Sequence, residues 1–203
     1  MNRGDRTLAE NLRLVALVGG IQTALYLTLN HHPPFPSREL PLTVVDRAVP
    51  FWTWTVWLYL MLLSCDLLLP LLIRRRAVMP RLIVAHLSAM SLAFLTFLFL
   101  PTRYPRPAPP DGDNVHAIVY RLLTDLDSPE CCFPSGHIIV PVLGCWAVWR
   151  DGNRWRGWLA ALLCVLAPSI LTTKQHYFWD LIGGLAAAAI GVSIATVVFG
   201  QDA

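Results

Sequence analysis

The sequence predicts an all-α bundle of six membrane-spanning helices. Three observations point there. The 203 residues are 55% apolar and only 14% charged, with a mean hydropathy of +0.52, whereas a soluble domain of this size carries about 25% charge. The apolar residues gather into six long stretches, each near the ~20 residues that cross a hydrocarbon core. Arginines mark every second turn between those stretches. In lipid the backbone must satisfy its own hydrogen bonds, so runs of this kind are helices rather than open sheet.

The first stretch, residues 12–29, follows a basic N-terminus. Its exit reads Asn30-His31-His32-Pro33-Pro34, without the small-x-small pattern of a cleavage site, so it is expected as a retained helix rather than a signal peptide. The second, 50–73, carries Trp52, Trp54 and Trp57 at one end, as an interfacial aromatic belt would. The third is 81–100. A long polar loop, 101–136, comes next. Within it Val115, Ile118, Val119, Leu122 and Leu126 recur at helical spacing behind Asp113 or Asn114 as a cap, the pattern of an amphipathic helix lying flat at the interface. The fourth stretch, 137–149, is short as marked and is expected to extend into its flanks. Residues 157–173 and 178–199 complete the bundle. A single domain, 1–203, uses the whole chain, with no repeat or low-complexity segment.

The net charge of +3 matters less than its placement. Arg3, Arg6 and Arg13 precede the first helix, Arg74, Arg75, Arg76 and Arg81 surround the second turn, and Arg150, Arg154 and Arg156 form the fourth. If six helices alternate, these residues share one side. The positive-inside bias then puts both termini in the cytoplasm and turns loop 101–136 outward. Arg38, Arg47, Arg103, Arg106, Arg121 and Lys174 are diluted through the outer loops. Short juxtamembrane clusters of this kind suit lipid headgroups and exclude a nucleic-acid interface.

Two motifs end up on that outer side. In Phe133-Pro134-Ser135-Gly136-His137, proline starts a helix, serine caps it and glycine lets the backbone approach a ligand, so free N–H groups and the positive dipole end make an anion site. Thirty-nine residues after His137 comes His176-Tyr177-Phe178-Trp179-Asp180. His176 and Asp180 share one helical face, where the carboxylate fixes the imidazole tautomer and leaves the other nitrogen free to attack. Pro101-Thr102-Arg103-Tyr104-Pro105-Arg106-Pro107 adds two guanidinium groups suited to phosphate oxygens.

In that order these segments resemble the type-2 phosphatidic acid phosphatase superfamily of integral-membrane lipid phosphatases. The Gln175-His176-Tyr177 context, with Gly183-Gly184 behind Asp180, looks closer to the branch of inositol phosphorylceramide and sphingomyelin synthases. Two family positions differ. Phe99 stands seven residues before Arg106 where the family has lysine, and Ser169-Ile170 replaces Ser-Arg. Arg103 and Lys174 are expected to substitute. The resemblance implies metal-free, cofactor-free phosphoryl transfer at the outer membrane–water interface of a plasma (inner) membrane. His176 would be the nucleophile, Asp180 its orienting carboxylate and His137 the acid and base. Arg106, Arg103, Lys174, Ser135 and Gly136 would hold the phosphoryl oxygens. A lipid phosphate would be the substrate, with water as acceptor in a phosphatase or a lipid or polyol hydroxyl in a phosphotransferase. A transporter or scaffold that kept the fold is the remaining class, and retention of both histidines and Asp180 argues against it.

Asp66 and His86 fall inside the second and third helices at similar depth and are expected to pair across them. Cys65, Cys145 and Cys164 read as small core residues, and the adjacent Cys131 and Cys132 lack metal-site spacing.

Overall fold

The computed structural model describes residues 5–108 and 112–200. The elements run α1 (Leu8–His31), β1 (Arg38–Glu39), α2 (Val44–Ala48), a 3₁₀ turn (Thr53–Thr55), α3 (Val56–Leu71), α4 (Val78–Phe99), β2 (Thr102–Arg103), α5 (Val115–Leu126), α6 (Gly136–Arg150), α7 (Arg156–Leu166), α8 (Ser169–Thr172) and α9 (Phe178–Phe199). The chain is mostly helical, but β1 and β2 pair in parallel, Arg38 opposite Thr102, adding a short ribbon to the expected all-α fold.

Among the described residues four helical segments are long and apolar enough to cross a membrane: Leu8–His31, Thr53–Leu71, Val78–Phe99 and Phe178–Phe199. The other two expected spans are shorter. α6 has 15 residues. The stretch expected as one helix over 157–173 breaks between α7 and α8 at Pro168, which lacks the N–H that would continue the ladder. The stretch expected over 50–73 begins only at the 3₁₀ turn, while α2 forms upstream in what read as loop. There Thr43 and Asp46 make a reciprocal capping box: Asp46 N–H donates to Thr43 Oγ1 at 3.2 Å and Thr43 N–H to Asp46 Oδ2 at 2.7 Å.

α6 lies at the centre, packed on α3, α4 and α9, and α4 also packs along α9. Small residues permit that last contact. Ala85, Ala89, Ala187, Ala188 and Ala195 are almost wholly buried, and a Cβ on Gly191 would stand 2.3 Å from the Ala85 carbonyl oxygen. Close backbone approach between small residues is how helices associate where lipid removes the hydrophobic drive.

α1 sits differently. None of its apolar window is buried. Two buried asparagines pin its ends instead. Asn11 donates to the Pro70 and Ile73 carbonyls at 3.3 and 2.7 Å. Asn30 donates to the Ser128 and Glu130 carbonyls at 2.9 and 3.0 Å and accepts from Ser128 N–H at 2.9 Å.

The basic turns gather at one end of the bundle. Arg6 N–H donates to the Arg74 carbonyl, the Arg74 and Arg75 N–H groups donate to Asp151, Arg76 pairs with Glu10 at 3.0 Å, and Arg81 caps α9 through the Phe199 and Gly200 carbonyls. Arg3 lies outside the described residues. The two sequence motifs meet at the opposite end.

Candidate functional site

The starts of α6 and α9 are sewn together. Ser135 N–H donates to the Asp180 backbone carbonyl at 3.1 Å. A Cβ on Gly184 would stand 2.9 Å from the Ser135 carbonyl oxygen, so only glycine lets the two helix starts come this close. α9 begins with the Asp180 carboxylate folded back: Oδ2 accepts from Tyr177 N–H at 2.9 Å and faces His176 Nδ1 at 3.0 Å. Asp180 is fully buried and His176 nearly so. The carboxylate therefore keeps hydrogen on Nδ1 and leaves Nε2 as the bare ring nitrogen. That Nε2 points to Ser135 Oγ at 3.4 Å. Ser135 occupies the N-cap position of α6, but its hydroxyl makes no capping bond; it faces the histidine, which corrects its expected role as a cap.

His137 follows within the first turn of α6. Its ring lies 5.4 Å from that of His176, centroid to centroid, at 73°, and is flanked edge-on by Tyr59 of α3 and Tyr26 of α1. A cavity of about 310 Å³ opens onto Gly136, His137 and His176 and is walled by Tyr26, Tyr59 and Asp127. α5 lines part of it through Leu123 and the edge of the largely exposed Leu126, and Val115, Ile118 and Leu122 are exposed. Asn114 is the cap of α5, accepting from Ala117 N–H at 2.9 Å.

His137, His176, Asp180, Ser135 and Gly136 are thus together. The three cations named from sequence have other partners. Arg106 reaches a wall of the cavity: its guanidinium donates to the Asp127 and Ser128 carbonyls and pairs with Asp127 Oδ2 at 2.9 Å, while its Nε is buried without a partner. Asp127 also accepts from Tyr26 O–H at 2.6 Å. Arg103 pairs with Glu39 on the exposed ribbon at 3.1 Å. Lys174, in the left-handed region at φ 52°, donates to the Asp46 and Val49 carbonyls at 2.9 and 2.6 Å, and burial lowers its pKa.

Sequence reasoning passed over several supports. Asp46 Oδ1 accepts from Phe178 N–H at 2.7 Å, so one carboxylate serves the starts of both α2 and α9. Thr43-x-x-Asp46 is a readable capping box, but its second target is not local. Tyr177 O–H donates to the Arg103 carbonyl and accepts from Leu40 N–H, fastening the ribbon to the site. All five cysteines are free. Cys131 lines the cavity, and burial pushes its thiol up to about 12. Cys132, His176 and Asp180 bring ligand-type atoms within 4.8 Å of one another, the one such grouping among the described residues.

Four apolar helices define the chain as a membrane protein, and at one end of the bundle a histidine–aspartate pair stands opposite a second histidine. The chain belongs to the PAP2 superfamily, whose family model matches residues 37–194. That superfamily consists generally of phosphatase-type enzymes. No curated protein and no solved structure matches the chain.

Proposed function

We propose that the protein hydrolyses a lipid phosphate monoester or pyrophosphate, without metal, through a phosphohistidine on His176. The observation that carries this reading is the His176 ring itself, with Nδ1 held by Asp180 and Nε2 aimed at Ser135 beside a cavity lined by His137. His176 Nε2 attacks phosphorus, and the bond from phosphorus to the lipid oxygen breaks as His137 gives that oxygen its proton. A water then attacks the phosphohistidine. His137 takes the water's proton, and the phosphorus–nitrogen bond breaks to return His176 and release phosphate. Asp180 stabilises the imidazolium that forms between the steps. Ser135 Oγ, the Gly136 N–H and Arg106 are the phosphoryl ligands, Arg106 through its spare Nε–H. Arg103 and Lys174 join them only on leaving Glu39 and the Asp46 and Val49 carbonyls.

The six-span topology belongs to the same reading. α6 and the α7–α8 pair complete the bundle, both termini face the cytoplasm, and the site opens outward from a plasma (inner) membrane, with the arginine-rich end inside. A lipid or polyol hydroxyl in place of water would make the same site a phosphotransferase of the inositol phosphorylceramide and sphingomyelin synthase type, the class that Gln175-His176-Tyr177 resembles.

Purified protein in detergent, given a lipid phosphate and excess chelator, is expected to release inorganic phosphate at its full rate. Loss of activity in chelator, restored by zinc, would replace this mechanism with a metal site at Cys132, His176 and Asp180. Phosphoryl transfer to an added lipid alcohol without free phosphate would select the transferase.

A further inference from the structure

The cavity at the histidines continues inward. A second cavity of about 270 Å³ lies beneath α1 against α3 and α4, and Gln22, Thr23, Leu63 and Asp66 line both. On α1 the combined lining runs from Leu14 to Leu27, about 20 Å at 1.5 Å per residue. The slot runs beneath α1, which is anchored at its ends by Asn11 and Asn30 and has no fully buried residue in the apolar window between them. Its walls are mainly aliphatic, with one polar belt. Asp66 and His86, expected to pair, make no hydrogen bond or ion pair with each other. Asp66 Oδ1 is buried without a partner, and among the described residues no hydrogen bond or ion pair engages His86, Gln22 or Thr23. Asp66 stands seven positions along α3 from Tyr59, which packs on His137, so the belt lies about 10 Å inward of the histidines.

Resting on the lipid-phosphatase reading, we infer that this slot holds the hydrophobic part of the substrate, and that the belt binds a hydroxyl or amide carried there within about 10 Å of the phosphorus. Gln22, Thr23 and His86 supply donors and Asp66 supplies an acceptor, the complement of a group that both donates and accepts. An all-hydrocarbon chain would leave all four desolvated and unsatisfied, which selects against it.

The test compares three esters: an N-acyl sphingoid phosphate, a polyprenyl phosphate of equal length, and p-nitrophenyl phosphate. Asp66→Leu is expected to lower kcat/KM about tenfold for the first, to raise it for the second by removing one unsatisfied group that its chain must cover, and to change the aryl phosphate, which does not reach the belt, least of the three. Gly19→Phe, at a glycine that lines the slot and whose added Cβ would meet nothing within 4 Å, is expected to weaken both lipids and spare the aryl phosphate. Equal effects on all three esters, or none, would overturn the inference. A wild-type protein that turns over none of them would sink the phosphatase reading instead. The slot is then judged by a diazirine-tailed lipid phosphate, whose crosslinks should fall on Val18, Leu63 and Ile83. Crosslinks confined to the lipid-facing Leu95 and Val197 would refute it.

Discussion

His176 differs from an ordinary interfacial histidine in what surrounds each nitrogen. Asp180 commits Nδ1, and a serine hydroxyl and a second histidine face the other side. His176→Ala and His137→Ala are each expected to abolish phosphate release, by at least about 10²-fold, with the detergent-solubilised fold retained by circular dichroism. Ser135→Ala is expected to cost less, about tenfold, because Gly136 N–H and Arg106 remain to hold the phosphoryl group. Normal turnover by folded His176→Ala protein would remove the nucleophile assignment. These residues were legible because each motif is contiguous and its chemistry local. The partners of the cations were not. Arg106 meets Asp127 across the α5 segment, and Lys174 meets carbonyls of α2 and the turn after it. A cation near a site in sequence does not reveal which acceptor it reaches first.

Helix packing turns on residues that hydropathy scores simply as apolar. α9 was read to the residue, because one long uninterrupted run has few alternatives. That Gly191 and its alanines form the seam with α4 was not legible, since the seam depends on the facing helix. Gly191→Leu would force a side chain against the Ala85 backbone. It is expected to destabilise the fold by about 1–3 kcal/mol, read as a lowered Tm in detergent, or to prevent assembly. An unchanged Tm would mean that α4 and α9 do not pack this way. Asp66 and His86, read at similar depth on two helices, line the same cavity without a hydrogen bond or ion pair between them, because depth along a helix does not set the separation across the gap. Asn11 and Asn30 likewise gave no signal, because each reaches carbonyls on a distant segment.

At the scale of the whole molecule, ten arginines divide the sequence into two sides, and Arg6, Arg74, Arg75, Arg76 and Arg81 do collect at the end opposite the histidines. The break at Pro168 and the shortness of α6 were less legible, because a hydropathy run does not register where backbone hydrogen bonding stops. In a cysteine-free background, His32→Cys is expected to react with a membrane-impermeant maleimide added to intact cells, and Gly157→Cys only after permeabilisation. The reverse pattern would invert the proposed orientation. The central claim is that phosphorus passes through His176. Rapid quench of the protein turning over a radiolabelled lipid phosphate, followed by peptide mapping, is expected to find an acid-labile phosphoryl group on His176. Turnover without that adduct, and undiminished in His176→Ala, would contradict the account.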